Sequence, residues 1–198
     1  MTTLTTNGFL SISRPSAGLR IAQVVGLTTT AFYYGVAASH SFSTTPAILR
    51  SPAPLLAKQW TTMRDSDKLS PAIVPVGLGA LFGWLASREP RNSIPFILYA
   101  ASASLLALCV PYTVFVMGPI EQRLAHKSHQ LASVALTATD AEAGAEETVH
   151  QLVDRWALLN LGQVVLMGGA AELALWAALD QLSVVSAAVS LASGANSM

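Results

Sequence analysis

Long stretches without charged side chains constrain the fold of this chain more than any other feature. Asp, Glu, Lys and Arg are absent from residues 21–49, 69–87 and 92–120, and residues 157–179 contain only Glu172. A transmembrane helix needs roughly 20 mostly apolar residues, because the hydrocarbon core is about 30 Å thick and a helix rises about 1.5 Å per residue. Four segments of the chain are therefore long enough to cross a bilayer as helices.

The sequence predicts an all-α fold: an integral membrane four-helix bundle. The Ala-, Leu- and Gly-rich runs do not alternate apolar and polar residues, so strands are not expected. Helices also satisfy their own backbone hydrogen bonds in lipid. A multi-pass protein of an endomembrane is expected, with a flexible tail at 1–18, a membrane domain at 19–180 and a C-terminal tail at 181–198. The predicted spans cover about residues 19–39, 70–87, 94–118 and 156–180.

Composition excludes several classes of protein. The chain is 52% hydrophobic and 11% charged, with 11 Lys+Arg against 11 Asp+Glu, so a nucleic-acid binder is not expected. The single cysteine, Cys109, excludes an intramolecular disulfide, a multi-cysteine zinc site and an iron–sulfur cluster. The four histidines are scattered and no Gly-rich nucleotide loop is present. We therefore expect no metal site and no bound cofactor.

The first loop is predicted to contain a short helix that lies at the membrane interface. Leu56, Trp60 and Met63 recur at i, i+4 and i+7, while Arg64 falls on another face. Trp60 is the expected interfacial anchor. Such a helix is either a simple connector or a lid over a cavity between the spans.

Polar side chains inside the spans mark either helix packing or function. In three spans they share one face at helical spacing. Asn160 and Gln163 could be interhelical hydrogen-bonding groups or parts of a site, and His40 could be structural or a proton acceptor. The polar faces comprise Gln23, Thr30, Tyr33, Ala37 and His40 in span one, Tyr99, Ser102, Leu106, Cys109 and Thr113 in span three, and Trp156, Asn160, Gln163 and Met167 in span four.

The alternating direction of the spans predicts where a site would form. Span one ends near His40, span three ends near Tyr112, and span four begins near Trp156. These three residues should therefore lie at the same end of the bundle, around a polar-lined cavity.

Four short segments complete a recognisable pattern across the chain. They read GVAASHSFSTTP at 35–46, LLAKQW at 55–60, PYTVFVMGP at 111–119 and RWALLN at 155–160. In order and spacing they resemble the fungal anthrone oxygenase family, small tetraspan proteins of polyketide pathways, over about residues 20–180. The positions that match the family pattern are Gly35, Ser41, Pro46, Gln59, Trp60, Pro111, Tyr112, Thr113, Met117, Pro119, Trp156 and Asn160.

The resemblance implies that an anthrone is oxidised to an anthraquinone by O2, without metal or flavin. The expected partners are an aromatic polyketide substrate, O2, membrane lipid and other enzymes of the same pathway. Under this interpretation the chain supplies a base, donors to the enolate oxygen, and an aromatic slot. The expected assignments are His40 as base, Asn160 and Tyr112 as donors, Tyr33, Trp60 and Trp156 as slot walls, and Thr113 and Gln163 as further substrate contacts.

Two departures from the family pattern concern polar positions. Pro119 is commonly followed by Thr-Asn in the family, whereas this chain has Ile120 and Glu121. An Arg is common three residues after Asn160, where this chain has Gln163. These changes indicate that the reaction or the substrate has diverged within the family.

Two other functions stay open from the sequence. One is a non-oxygenase enzyme, such as an isomerase or cyclase, that acts on an enolisable polyketide with the same base and donors. The other is a non-catalytic tetraspan accessory protein, in which Asn160 and Glu172 only hold helices together.

Overall fold

The computed structural model describes residues 17–67, 70–138 and 147–195 of the chain, and all regular structure in these residues is helical. The predicted all-α class is thus confirmed for the described part of the chain. In chain order the elements are α1 (Ala17–Ser39), a π-helical turn π1 (His40–Thr44), α2 (Thr45–Ile48), α3 (Ala53–Ser66), α4 (Ser70–Ser87), α5 (Ile94–Tyr112), a second π-helical turn π2 (Thr113–Met117), α6 (Gly118–Leu131) and α7 (Val149–Ala195).

The two predicted tails differ in how much of each the structure describes. Residues 1–16 of the predicted N-terminal tail lie outside the described residues, and α1 begins at Ala17. Helix α7 continues past the predicted end of the fourth span at Asp180 and reaches Ala195, so most of the predicted C-terminal tail is helical.

Three helical stretches among the described residues are long and apolar enough to cross a membrane. They are Ala17–Ile48, Ile94–Leu131 and Val149–Gln181, and Ile73–Ser87 is a shorter apolar helix. Large apolar side chains project outward from the long helices, among them Val165 at 72% exposure. Contiguous apolar surface of this kind marks contact with lipid or a partner. The chain is thus a helical membrane protein by length, composition and surface.

The four long helices pack directly on one another. Helix α4 packs against α5, α5 against α7, and α1 against both α7 and α4. Phe82, Leu106 and Ala170 are fully buried in the core between them. The buried Ser102 Oγ donates to the Ala170 carbonyl across the α5–α7 contact at 2.8 Å. Ser102 therefore contributes to helix packing, one of the two roles expected of polar residues in the spans.

A second core lies at one end of these helices and contains the first-loop helix. Leu56 and Trp60 of α3 are buried against Leu124 of α6 and Val153 of α7. Trp60 is only 2% exposed, so the prediction that it anchors the helix in the membrane interface is wrong. The apolar stripe of α3 instead packs on the protein, because α6 and the start of α7 provide an apolar surface that buries it.

A polar network lies at the opposite end of the long helices. Gln23 Nε2 donates to Tyr99 Oη at 3.0 Å and also to Gln181 Oε1. Gln181 Nε2 in turn donates to Glu89 Oε1 at 2.6 Å. Burial raises the pKa of Glu89 above its usual value, and the hydrogen bond from Gln181 offsets part of this effect. The network joins α1, α5 and α7 to the α4–α5 loop.

Candidate functional site

A narrow cleft lies between the end of α1, helix α3, the π2–α6 junction and α7. Its free volume is about 30 Å³, which is enough to hold water. Three of the five methionines of the chain line it. Among the residues predicted for a site, those that line the cleft are Tyr33, His40, Thr113, Trp156, Asn160 and Gln163.

Two widened helical turns present residues to the cleft. His40 begins π1, while Thr113 and Met117 begin and end π2. Each turn ends two residues before a proline, Pro46 or Pro119. Proline lacks an N–H, and its ring clashes with the carbonyl four residues earlier, so the preceding turn cannot keep regular α-helical hydrogen bonds. π-helical turns are frequent at functional sites because they re-aim side chains.

His40 is the imidazole of the cleft. Its ring lies 6.1 Å from the Trp156 ring, measured between centroids, and the side chain is half-buried. Within the described part of the chain no hydrogen bond engages either ring nitrogen of His40. Arg64 and Asp67 of the α3 segment line the same cleft and act on His40 electrostatically. An imidazole in this setting has a nitrogen available to accept a proton from a bound molecule.

Asn160 lies in the cleft wall but its donors are engaged. Its Nδ2 donates to the Ala37 carbonyl at 2.8 Å and to Ser41 Oγ at 2.8 Å. Ser41 Oγ itself donates to the Ala157 carbonyl at 2.9 Å. An amide has two N–H groups, so both are used, one to bind α7 to α1 and the other to bind it to π1. In this geometry Asn160 fixes the position of the segment that carries His40.

Tyr112 lies at the same end of the helices as Trp156, as predicted, but outside the lining of the cleft. Its hydroxyl donates to the Leu159 carbonyl at 2.6 Å, and its ring packs over Gly162. The side chain is not among those that line the cleft. Tyr112 therefore joins the end of α5 to α7 behind the cleft, and its hydroxyl proton is directed away from the cleft.

Besides His40, Gln163 and Tyr33 are cleft side chains whose hydrogen-bonding groups have no partner within the described residues. Gln163 is only 6% exposed. Within the described residues neither its amide nor the Tyr33 hydroxyl makes a hydrogen bond. The buried side-chain atoms that lack a hydrogen-bond partner among the described residues are Thr45 Oγ1 and Trp60 Nε1, so the amide atoms of Gln163 keep contact with the space of the cleft. A ligand or a water in the cleft can therefore hydrogen-bond to them.

The aromatic residues form two layers rather than one slot. Trp156 faces the cleft, and Trp60 packs edge-on behind it with 6.0 Å between ring centroids. Thr113 lines the cleft while its hydroxyl donates to the Cys109 carbonyl at 2.8 Å. Trp60 thus supports Trp156 and does not form part of the cleft wall.

The sequence interpretation missed the charged side of the cleft. Arg64 Nη2 lies 2.7 Å from Glu121 Oε2, and Trp156 Nε1 donates to Glu121 Oε1 at 3.3 Å. Both charged side chains are mostly buried, at 21% and 18% exposure. The signal was present, because Glu121 is the first charge after the uncharged residues 92–120. Arg64 could not be found in this way, because its partner depends on how α3 folds back.

The described residues contain no group of three or more His, Cys, Asp or Glu side chains that could hold a metal ion.

Fold and site together define a helical membrane protein with a narrow, aromatic and polar cleft at one end of its bundle. Residues 60–173, more than half of the chain, match the family model described as anthrone oxygenase. The chain belongs to the anthrone oxygenase family, as the sequence resemblance predicted. Membership indicates an oxygenase of polyketide biosynthesis.

A curated relative and the solved structures complete the comparison. The chain is 29% identical over 165 residues to "Anthrone oxygenase encC" of Aspergillus fumigatus, an alignment that covers 75% of this chain and 88% of the relative. No solved structure matches the chain.

Proposed function

We propose that the chain is a four-span membrane enzyme that oxidises an anthrone-type polyketide to an anthraquinone with O2. The observation that carries the proposal is the half-buried His40, which makes no hydrogen bond within the described residues and lines the cleft beside Trp156 in a chain of the anthrone oxygenase family. The methylene of an anthrone is acidic, because its conjugate base is an aromatic enolate. A positioned imidazole is a suitable base for such a proton.

The reaction balances without a bound metal or flavin. His40 takes one methylene proton, and the electron-rich enolate transfers one electron to O2. The resulting carbon radical and superoxide combine into a peroxide, which takes a proton from the imidazolium. Loss of the second methylene proton and cleavage of the O–O bond release water and leave the new carbonyl. One anthrone and one O2 thus give one anthraquinone and one water.

The cleft must widen to admit a tricyclic substrate, because its free volume of about 30 Å³ is smaller than a single aromatic ring. Met63, Met117 and Met167 line it. Methionine side chains are unbranched and change rotamer readily, so they adapt to ligands of irregular shape. Helix α3 covers one side of the cleft, which favours a lid over a simple connector.

Four spans and an endomembrane location are part of the proposal. Helix α4 (Ser70–Ser87) has 18 residues and is therefore about 27 Å long, close to the thickness of the hydrocarbon core. Ile73 and Val76 are exposed on its surface at 61% and 57%. A planar, poorly soluble substrate would reach the cleft from the surrounding lipid.

The test is product analysis with membranes that contain the protein. A dihydroxyanthrone is incubated under air and under argon, and spontaneous oxidation is subtracted with membranes that lack the chain. With ¹⁸O2 the product should carry one labelled carbonyl oxygen. Turnover that persists under argon would instead indicate an isomerase or cyclase, and no turnover above background would indicate an accessory protein.

His40→Gln tests the base in the same assay. Loss of a general base costs about 10²–10⁴-fold in rate, so we expect turnover to fall at least 100-fold. His129→Gln is the matched control, because His129 is an exposed residue of α6 outside the cleft, and its turnover should be unchanged. A His40→Gln variant with a near wild-type rate would remove His40 as the base.

A further inference from the structure

Gln163 differs from the other buried polar side chains without a hydrogen bond in the described residues, because it lines the cleft whereas Thr45 does not. It faces the cleft, is 6% exposed, and forms no side-chain hydrogen bond within the part of the chain that the structure describes. Asn160, one turn earlier on the same helix, uses both of its N–H groups within the protein. A buried amide that lines a cleft and has no hydrogen-bond partner in the protein indicates that a bound ligand provides the partner.

Tyr33 lies at a similar depth on the opposite wall. Trp156 is level with His40, and Asn160 contacts Ala37, so α1 and α7 run antiparallel along the cleft. Moving from Asn160 to Gln163 along α7 therefore corresponds to moving from Ala37 towards Tyr33 along α1. Gln163 and Tyr33 thus lie at a similar level, further from His40 than Asn160 is, and we call this level the deep end of the cleft.

The spacing of Tyr33 and His40 along the helix matches the length that an anthrone requires across its central ring. Tyr33 precedes His40 by seven residues, which is about 10 Å along a helix. In an anthrone the methylene and the carbonyl face opposite sides of the central ring. A base about 3 Å from the methylene carbon and a donor about 3 Å from the carbonyl oxygen are therefore about 10 Å apart.

We infer that Gln163 Nε2 and Tyr33 Oη donate to the carbonyl oxygen of the bound anthrone and stabilise the enolate. The inference rests on the proposed function and adds the orientation of the substrate, with its methylene at His40 and its carbonyl at the deep end. In the step concerned, the methylene proton moves to the imidazole and the C–H electron pair moves to the carbonyl oxygen. No oxidant takes part in this step.

Hydrogen exchange under argon isolates this step. The protein in membranes is incubated with a dihydroxyanthrone in D2O, and deuterium at the methylene is measured by mass spectrometry after subtraction of spontaneous exchange. Removing one preorganised donor costs about 10²–10³-fold in rate. Gln163→Met and Tyr33→Phe should each slow exchange under argon and turnover under air by the same factor, on the order of 100-fold.

Controls separate the donor role from a structural role. Ser102→Ala removes a fully buried hydrogen bond on α5 outside the cleft and should leave the exchange rate unchanged. Gln163→Glu keeps the shape of the side chain but replaces the amide donor with an acceptor, so it remains decisive if the methionine variant unfolds. Exchange within threefold of wild type in both Gln163 variants would overturn the inference while leaving the oxygenase proposal intact. If the wild type itself shows neither oxidation nor exchange, the proposed function fails instead.

Discussion

Replacing Gly162 by alanine should disrupt the contact between the end of α5 and α7. A Cβ built on Gly162 would lie 2.6 Å from Tyr112 Cζ and 3.1 Å from its Cε2, and it would overlap the hydroxyl oxygen. Tyr112 cannot stay in place, because its hydroxyl is held by the Leu159 carbonyl at 2.6 Å. The alanine variant must therefore break this hydrogen bond and displace the ring.

The expected loss of stability follows from three opposing effects. Overpacking costs about 1–3 kcal/mol, and the lost hydrogen bond costs about 1 kcal/mol. Replacing glycine by alanine in a helix returns about 1 kcal/mol. We expect a net loss of about 1–3 kcal/mol for Gly162→Ala. Gly83→Ala in α4 is the matched control, because a Cβ added at Gly83 would have no atom within 4 Å, and this variant should gain up to about 1 kcal/mol.

The single cysteine provides the assay. Cys109 is fully buried, so a thiol-reactive dye becomes fluorescent only when the protein unfolds in detergent. One kcal/mol shifts Tm by about 2–4 °C in a chain of this size, so Gly162→Ala should melt on the order of 10 °C below Gly83→Ala. Adding Tyr112→Phe, which removes the overlapping hydroxyl, should recover part of the loss. Equal melting temperatures for the two alanine variants would refute the packing argument.

Two further predictions concern charged groups and use the same melting assay. Arg64→Gln leaves the mostly buried Glu121 carboxylate without its cation and should lower Tm by several degrees. Arg123→Gln breaks an exposed ion pair, in which the arginine is 62% exposed, and should change Tm little. Equal changes in Tm for the two variants would contradict this prediction. Burial raises the pKa of Glu89, so the folded state binds the carboxyl proton more tightly than the unfolded chain does. The stabilisation from this proton is fully present below about pH 4.5 and is lost as pH rises through the raised pKa. Glu89→Gln should therefore raise Tm at pH 7 but not at pH 4, and a lower Tm at pH 7 would contradict the sign.

The helices could be predicted from the sequence because hydrophobicity alone determines where they lie. The uncharged stretches gave predicted starts at residues 70 and 94, and α4 and α5 begin at Ser70 and Ile94. The predicted first span, 19–39, is two residues shorter than α1. Charge is excluded from lipid-facing helices over about 30 Å, so this signal is strong and does not depend on tertiary contacts.

The charged side of the cleft depends on packing that the sequence does not record. Arg64 lies outside the apolar stripe of α3, on the side of an amphipathic helix that usually faces solvent. In the folded chain α3 turns back on α6, and Arg64 meets Glu121 at the edge of the cleft. The π-helical turns have a sequence signal in Pro46 and Pro119, but a proline near a span end equally predicts a plain helix end.

Asn160 and Gln163 show why residue type alone could not assign roles in this site. Both are buried amides on the same face of α7, at 3% and 6% exposure. Ser41 lies in π1, where the widened turn brings its hydroxyl to Asn160. The Asn160 amide consequently holds the segment that carries His40. The Gln163 amide, one turn further along α7, faces the cleft. The roles of the two amides are thus set by the acceptors that α1 and π1 present to α7. The Ala37 carbonyl and Ser41 Oγ lie opposite Asn160 and engage both of its N–H groups, whereas the described residues place no hydrogen-bond partner opposite the Gln163 amide.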